Sequence, residues 1–302
     1  MQNKAISHEP SRRRFLSLAA GSMAAGCLAS TALPGCASSQ YAGTGATKRD
    51  IVLVHGAWHG GWCWDQVRPI LEAAGHRVFT PTLTGLGSRA DELTSKVGLN
   101  THIADIIEVI TANDLSDIVL CGHSYGGMVI TGVADALKSR IAHIVYLDAA
   151  LPNNGETMLS YGEPRPQVAI DGAIAAMTAM ATDGVGIGVF PPALLGIPED
   201  HPLYTWVADR LTPHPLKTWL DPISLSNDGP KGLPSTYVHC NQPALAQTQF
   251  GWLFHTLQSE EDWNTLLLAT GHDAMVTDPE GVAKVLLNAA AHSPPKMTGG
   301  YQ

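Results

Sequence analysis

The sequence predicts an α/β fold: a mostly parallel sheet with helices on both faces and an inserted helical cap. Three observations predict it. From Asp50 to Leu147, short apolar runs alternate with stretches of helical spacing, the rhythm of consecutive βαβ units. The rhythm stops over residues 153–232, which are rich in Pro, Gly, Met and Ala and show no strand alternation. It resumes from Thr236 to Ala291. The chain has 302 residues, 45% of them hydrophobic, enough for a substantial core in one large domain with an insertion or in two small domains.

Residues 1–40 read as a targeting segment and linker, ahead of a folded domain over 48–302. Arg12-Arg13-Arg14-Phe15-Leu16 precedes a small, weakly apolar stretch from Ser17 to Leu33. A basic start, an apolar middle and small residues behind it make an export signal. The paired arginines resemble a twin-arginine signal, so the expected location is bacterial and periplasmic. Leu33-Pro34-Gly35-Cys36 resembles a lipobox, with Ala25-Gly26-Cys27 a weaker second match. Acylation of Cys36 with a lipid anchor in the membrane, or ordinary cleavage near Ala37, are both open.

The domain elements follow in order. Ile51-Val-Leu-Val54 is an apolar strand, Trp64 to Ala74 a helix closed by Gly75, and Arg77-Val-Phe79 a strand. A polar loop spans Gly85 to Gly98. Thr101 is expected to cap a helix reaching Ala112, with Ile103, Ile106, Ile107 and Ile110 on one face. Asp117 to Cys121 is a strand, Tyr125 to Leu137 a helix, and Ile141 to Leu147 a strand. After the insertion come strands at Thr236–His239 and Leu266–Ala269, then a helix from Pro279 to Ala291.

A net charge of −9 speaks against nucleic acid, whose phosphates need clustered Lys and Arg. The five cysteines are too scattered for a disulfide framework, and no Cys/His spacing suggests a metal.

Chemistry concentrates at the strand ends. Gly122-His123-Ser124-Tyr125-Gly126 is G-x-S-x-G between a strand and a helix. Flanking glycines permit the sharp turn that lifts the Ser124 hydroxyl to a helix N-terminus. His272 lies in Thr270-Gly271-His272-Asp273 after the last strand, where a base for Ser124 is expected. His55-Gly56-Ala57-Trp58 follows the first strand, and the amides of Ala57 and Tyr125 are the expected oxyanion donors. Trp58 and His59 are candidate substrate-binding residues, with aromatic packing beneath the loop as the alternative. Met158, Met177, Met180, Trp206 and Trp219 suit an apolar cap over the substrate or its core.

Taken together, His55-Gly-Ala-Trp-His-Gly-Gly-Trp-Cys-Trp64, Thr80-Pro-Thr-Leu-Thr-Gly-Leu-Gly87 and Gly122-His-Ser-Tyr-Gly-Gly-Met128 resemble the bacterial α/β-hydrolases related to plant methyl-salicylate esterases and hydroxynitrile lyases. The resemblance implies hydrolysis of a small-molecule ester, carbamate or amide through an acyl-enzyme, with no cofactor. Two other functions share the fold. The related lyases carry Thr and Lys where this chain has Gly56 and Asp273, which disfavours a lyase. A non-catalytic ligand-binding protein is disfavoured by the intact Ser124 and His272.

One departure stands out. The family's usual acid follows the penultimate strand, and Val238-His239-Cys240-Asn241-Gln242-Pro243 holds no carboxylate. Asp148, at the end of the strand after the nucleophile, keeps the order Ser, acid, His and is the preferred acid. Asp273 is its chief rival, with Asp221 and Asp228 behind it.

Overall fold

The computed structural model describes residues 48–246 and 248–292. The expected export signal, with Arg12, Arg13 and Cys36, lies outside them. Among the described residues the strands are β1 (Asp50–Val54), β2 (Arg77–Phe79), β3 (Ile118–His123), β4 (Ile141–Leu147), β5 (Ala181–Thr182), β6 (Gly186–Ile187), β7 (His214–Pro215), β8 (Ser235–Cys240) and β9 (Trp263–Leu268). Six of them form one sheet in the order β2-β1-β3-β4-β8-β9. Every neighbouring pair in it is parallel.

Helices cover both faces of this sheet, so its central strands are apolar at nearly every position rather than alternating. Val52 and Val54 of β1, Leu120 of β3 and Tyr146 of β4 pack toward α2 (Leu99–Ala112), α3 (Gly126–Leu137) and α7 (Phe250–Leu257). Ile51 and Leu53, Cys121 and Val145 point the other way, toward α1 (Arg68–Ala73), α8 (Ala274–Thr277) and α9 (Pro279–His292). The remaining helices, α4 (Gln167–Ala179), α5 (Tyr204–Ala208) and α6 (Lys217–Leu220), belong to the insertion.

The strand order fixes where a site can form. The chain leaves β1 through α1 on one face and leaves β3 through α3 on the other. Connections diverging from adjacent parallel strands open a crevice at their carboxyl ends. Val54 pairs with Gly122, His123 with Leu147, and Leu147 with Val238. The segments after β1, β3, β4 and β8 therefore emerge side by side on one edge.

Several expectations are corrected. The insertion is not only helical: β5, β6 and β7 make a three-stranded antiparallel sheet. Strands of two residues are too short to show a period of two in sequence. The helix expected from Trp64 begins at Arg68, preceded by a 3-10 turn over Gly61–Trp64. Pro69 has no N–H to continue a helix from upstream and suits its first turn. Thr101 is not the cap of α2: its Oγ accepts the Gly98 N–H at 3.2 Å, while Asp221 accepts the Leu99 N–H at 3.2 Å. That cap comes from the insertion, through tertiary contact. The stretch expected as a loop holds a 3-10 segment over Gly87–Glu92, and α7 and α8 are additions to the predicted elements.

Candidate active site

Ser124 follows β3 directly and adopts a left-handed φ of 54°. The turn is held by the Ser124 N–H donating to Leu147 O at 3.2 Å and by the Ala150 N–H donating to Ser124 O at 3.0 Å. A Cβ on Gly122 would sit 2.7 Å from the Gly126 carbonyl oxygen, so strand and helix can approach this closely only with glycine there. Ser124 is largely buried, and its Oγ hydrogen-bonds to no described residue. Such contacts commonly tighten only when substrate arrives.

His272 lies between β9 and α8, and its ring stacks on Phe250 with centroids 5.3 Å apart and planes 7° apart. Its Nδ1 donates to Asp148 Oδ2 at 2.6 Å. Asp148 is fully buried and also left-handed, with φ 43°. Its other oxygen, Oδ1, accepts from His239 Nδ1 at 2.8 Å and from the Cys240 N–H at 3.1 Å. Burial pushes the Asp148 carboxyl up, but the hydrogen bonds from His239 and His272 outweigh it and hold the group below the usual carboxylate range.

Asp273, the rival acid, points away from the His272 ring nitrogen that Asp148 occupies. It accepts from His59 Nε2 at 3.1 Å. His59 Nδ1 meets the Ala57 carbonyl at 2.7 Å. A carbonyl and an ionised carboxylate only accept, so both His59 nitrogens must donate and the ring is an imidazolium. Burial opposes that charge, yet the adjacent Asp273 raises the His59 pKa above its ordinary value. His59 is thus corrected from a substrate-binding residue to a buried cation behind the loop. Asp221 and Asp228 are excluded as acids: the first caps α2, and the second lines a separate cavity with Lys231 and Asp262.

The loop expected to carry the oxyanion donors lies against Ser124. A Cβ on Gly56 would fall 2.8 Å from both His123 Nδ1 and Ser124 Cβ. The amides of Ala57, in this loop, and Tyr125, at the start of α3, make no intramolecular hydrogen bond among the described residues. Trp58 carries a strained φ of 64°. The insertion clamps it from both sides: its carbonyl accepts the Thr212 N–H at 2.9 Å, and its N–H donates to His214 Nδ1 at 3.4 Å. His123 donates from Nε2 to the His272 carbonyl at 3.0 Å, and burial lowers its pKa to about 3, so it is a neutral brace. His123, His272 and Asp273 bring potential metal-ligand atoms within 4.8 Å of one another, with His272 also bonded to Asp148 and Asp273 to His59.

Ser124 and His272 open onto a cavity of about 600 Å³ roofed by the insertion. Trp58, Met158, Met177, Phe190 and Trp219 line it, and among the described residues no Asp, Glu, Lys or Arg does. Trp58 packs between Phe190 and Trp219 in tilted contacts at centroid distances of 4.7 and 5.7 Å. Met180 is instead exposed, and Trp206 packs on Trp62 at 5.1 Å.

A parallel sheet clothed on both faces, with a serine, a histidine and a carboxylate gathered at its switch point under an inserted cap, defines an α/β hydrolase. The profile of the alpha/beta hydrolase family matches residues 51–285, and the chain belongs to that family. It is a hydrolase acting on ester bonds. The carbendazim hydrolyzing esterase of Nocardioides sp. (strain SG-4G) is 37% identical over 242 residues, covering 78% of this chain and 98% of that one. Methylesterase 1 of Arabidopsis thaliana is 27% identical over 221 residues, covering 68% and 83%. Among solved structures, an extracellular α/β-hydrolase from a Paenibacillus species superimposes with a TM-score of 0.67 at 23% identity, over 80% of this chain and 98% of that one. Its likeness is one of fold.

Proposed function

We propose that the protein is a serine hydrolase that cleaves an uncharged, apolar small-molecule carboxylic ester through an acyl-enzyme. The observation that carries this reading is the opening of Ser124 and His272 onto one apolar cavity, with Asp148 bonded to the far side of the imidazole. His272 takes the Ser124 proton as the hydroxyl attacks the ester carbonyl. Asp148 fixes the ring with its proton on Nδ1 and supports the imidazolium that forms. The amides of Ala57 and Tyr125 receive the tetrahedral oxyanion. His272 then protonates the leaving alkoxide and activates the water that frees the acid. Carbamates and carbendazim itself belong in the same assay, because the relative from Nocardioides is named for carbendazim.

p-Nitrophenyl esters of graded acyl length test the reading. Turnover should rise with acyl length until the cavity is filled, and Ser124→Ala should abolish it. A fluorophosphonate probe should label Ser124; a label on another serine, or full activity of the variant, overturns the mechanism.

We further propose export through the twin-arginine route, with residues 1–40 as signal and linker and the cap spanning about 153–232. Lysine substitutions at Arg12 and Arg13 should trap the protein in the cytoplasm, and unchanged periplasmic yield rejects that route. Globomycin accumulates the precursor only if Cys36 is acylated.

A further inference from the structure

We infer that His239 is a positioning residue for Asp148, pinning one carboxylate oxygen so that the other faces His272. The inference rests on the reading of Ser124, His272 and Asp148 given above.

The strands create the juxtaposition. β4 and β8 are parallel neighbours with Leu147 opposite Val238, so the next residues, Asp148 and His239, stand side by side at the carboxyl edge. The Asp148 N–H donates to Val238 O at 2.7 Å, which anchors the backbone of the acid to the strand that bears His239. The carboxylate still has a side-chain torsion free to turn. Donors on Oδ1 remove that freedom: His239 Nδ1 at 2.8 Å and the Cys240 amide at 3.1 Å. With Oδ1 held, Oδ2 is aimed at His272 Nδ1, 2.6 Å away. Because a carboxylate only accepts, His239 must carry its proton on Nδ1.

The His239 ring is itself braced. Phe254 packs on it at a centroid distance of 5.7 Å, and a Cβ on Gly251 would come within 3.4 Å of its Nε2. Its side chain is 11% exposed. Tyr161, Tyr237 and Cys240 also feel the Asp148 charge, and Tyr237 interacts with the site through a bond to the Ala149 carbonyl at 2.8 Å. His239 and His272 alone among the described side chains donate hydrogen bonds to the acid.

Two variants test this. His239→Leu removes the donor and keeps the bulk, whereas His239→Asn sets an amide N–H close to where Nδ1 stands. With a p-nitrophenyl ester, His239→Leu should lower kcat by roughly 10- to 100-fold, the range for a reacting group held loosely. KM should stay within about threefold, since substrate contacts are untouched. The acid limb of kcat/KM should move to higher pH, because a carboxylate short of one donor holds the imidazole proton more tightly. The groups around His272, namely His123, Asp273 and His59, are unchanged, so the shift reports on Asp148. His239→Asn should restore most of kcat and return the limb. A kcat within about twofold of wild type for His239→Leu overturns the proposal. So does equal impairment of both variants with an unmoved limb, which marks a packing role. A wild-type chain that fluorophosphonate does not label at Ser124 overturns the serine reading, and this proposal with it; labelling at Ser124 with inert His239 variants overturns this proposal alone.

Discussion

At the residue scale, two buried carboxylates lie near one histidine and do different work because their partners differ. Asp148 meets the ring nitrogen of His272, while Asp273, next to His272 in sequence, turns to the imidazolium of His59. Asp148→Asn should keep the fold yet lower kcat by roughly 10,000-fold, the scale seen when a triad carboxylate is neutralised. Asp273→Asn should cost far less in kcat and more in stability, on the order of 3 kcal/mol, because it leaves a buried cation without its counter-charge. Steady-state kinetics and urea denaturation of the pair separate the roles; equal kinetic losses would sink the distinction. The sequence could name Asp148 by chain order and its place at a strand end. His59 could not be read, because its partner lies 214 residues away.

At the element scale, the short β7 ties the insertion to the loop after β1, the proposed source of an oxyanion donor. Thr212 and His214 hold the backbone of Trp58 in a left-handed conformation that a bulky residue adopts only under constraint. His214 is neutral, because burial holds its pKa well below the ordinary value, so its Nδ1 is available to accept the Trp58 N–H. His214→Leu removes that acceptor and should lower kcat by about 10- to 100-fold, the range for a misplaced reactive group. Fluorophosphonate labelling of Ser124 should slow in step. Unchanged labelling would show that the loop holds its shape without the insertion. The sharp turn at Ser124 was legible in sequence because its strand, turn and helix are contiguous. The clamp was not, since it joins residues 58 and 214 through strands too short to leave a pattern.

At the scale of the whole molecule, buried histidines set an acid limit on the fold. Burial lowers the pKa of His55 and His123 to about 3 and of His102 to about 4, and that of His214 well below its ordinary value. Unfolded histidines titrate near 6.5. Between about pH 6.5 and 4 the unfolded chain therefore binds more protons than the native one, and stability falls as pH falls. Each such histidine contributes up to about 1.4 kcal/mol per pH unit. His59 runs the other way: its raised pKa makes its contribution complete below about 6.5 and lost as pH rises through the folded value. The melting temperature should thus drop steeply from pH 6.5 toward pH 4, measured by thermal denaturation in a buffer series, and a flat profile would refute the assignment. By itself the sequence determined the α/β class and offered Ser124, His272 and Asp148, with Asp273 as a rival acid, as candidates at strand ends, because each rests on local patterns: apolar runs, strand-to-helix glycines and chain order. Only the tertiary structure decided which carboxylate meets His272, that His59 is a cation behind the loop, and that the cap carries a sheet. These depend on strand order and register, which bring residues scores of positions apart into contact, and no local pattern encodes such distances.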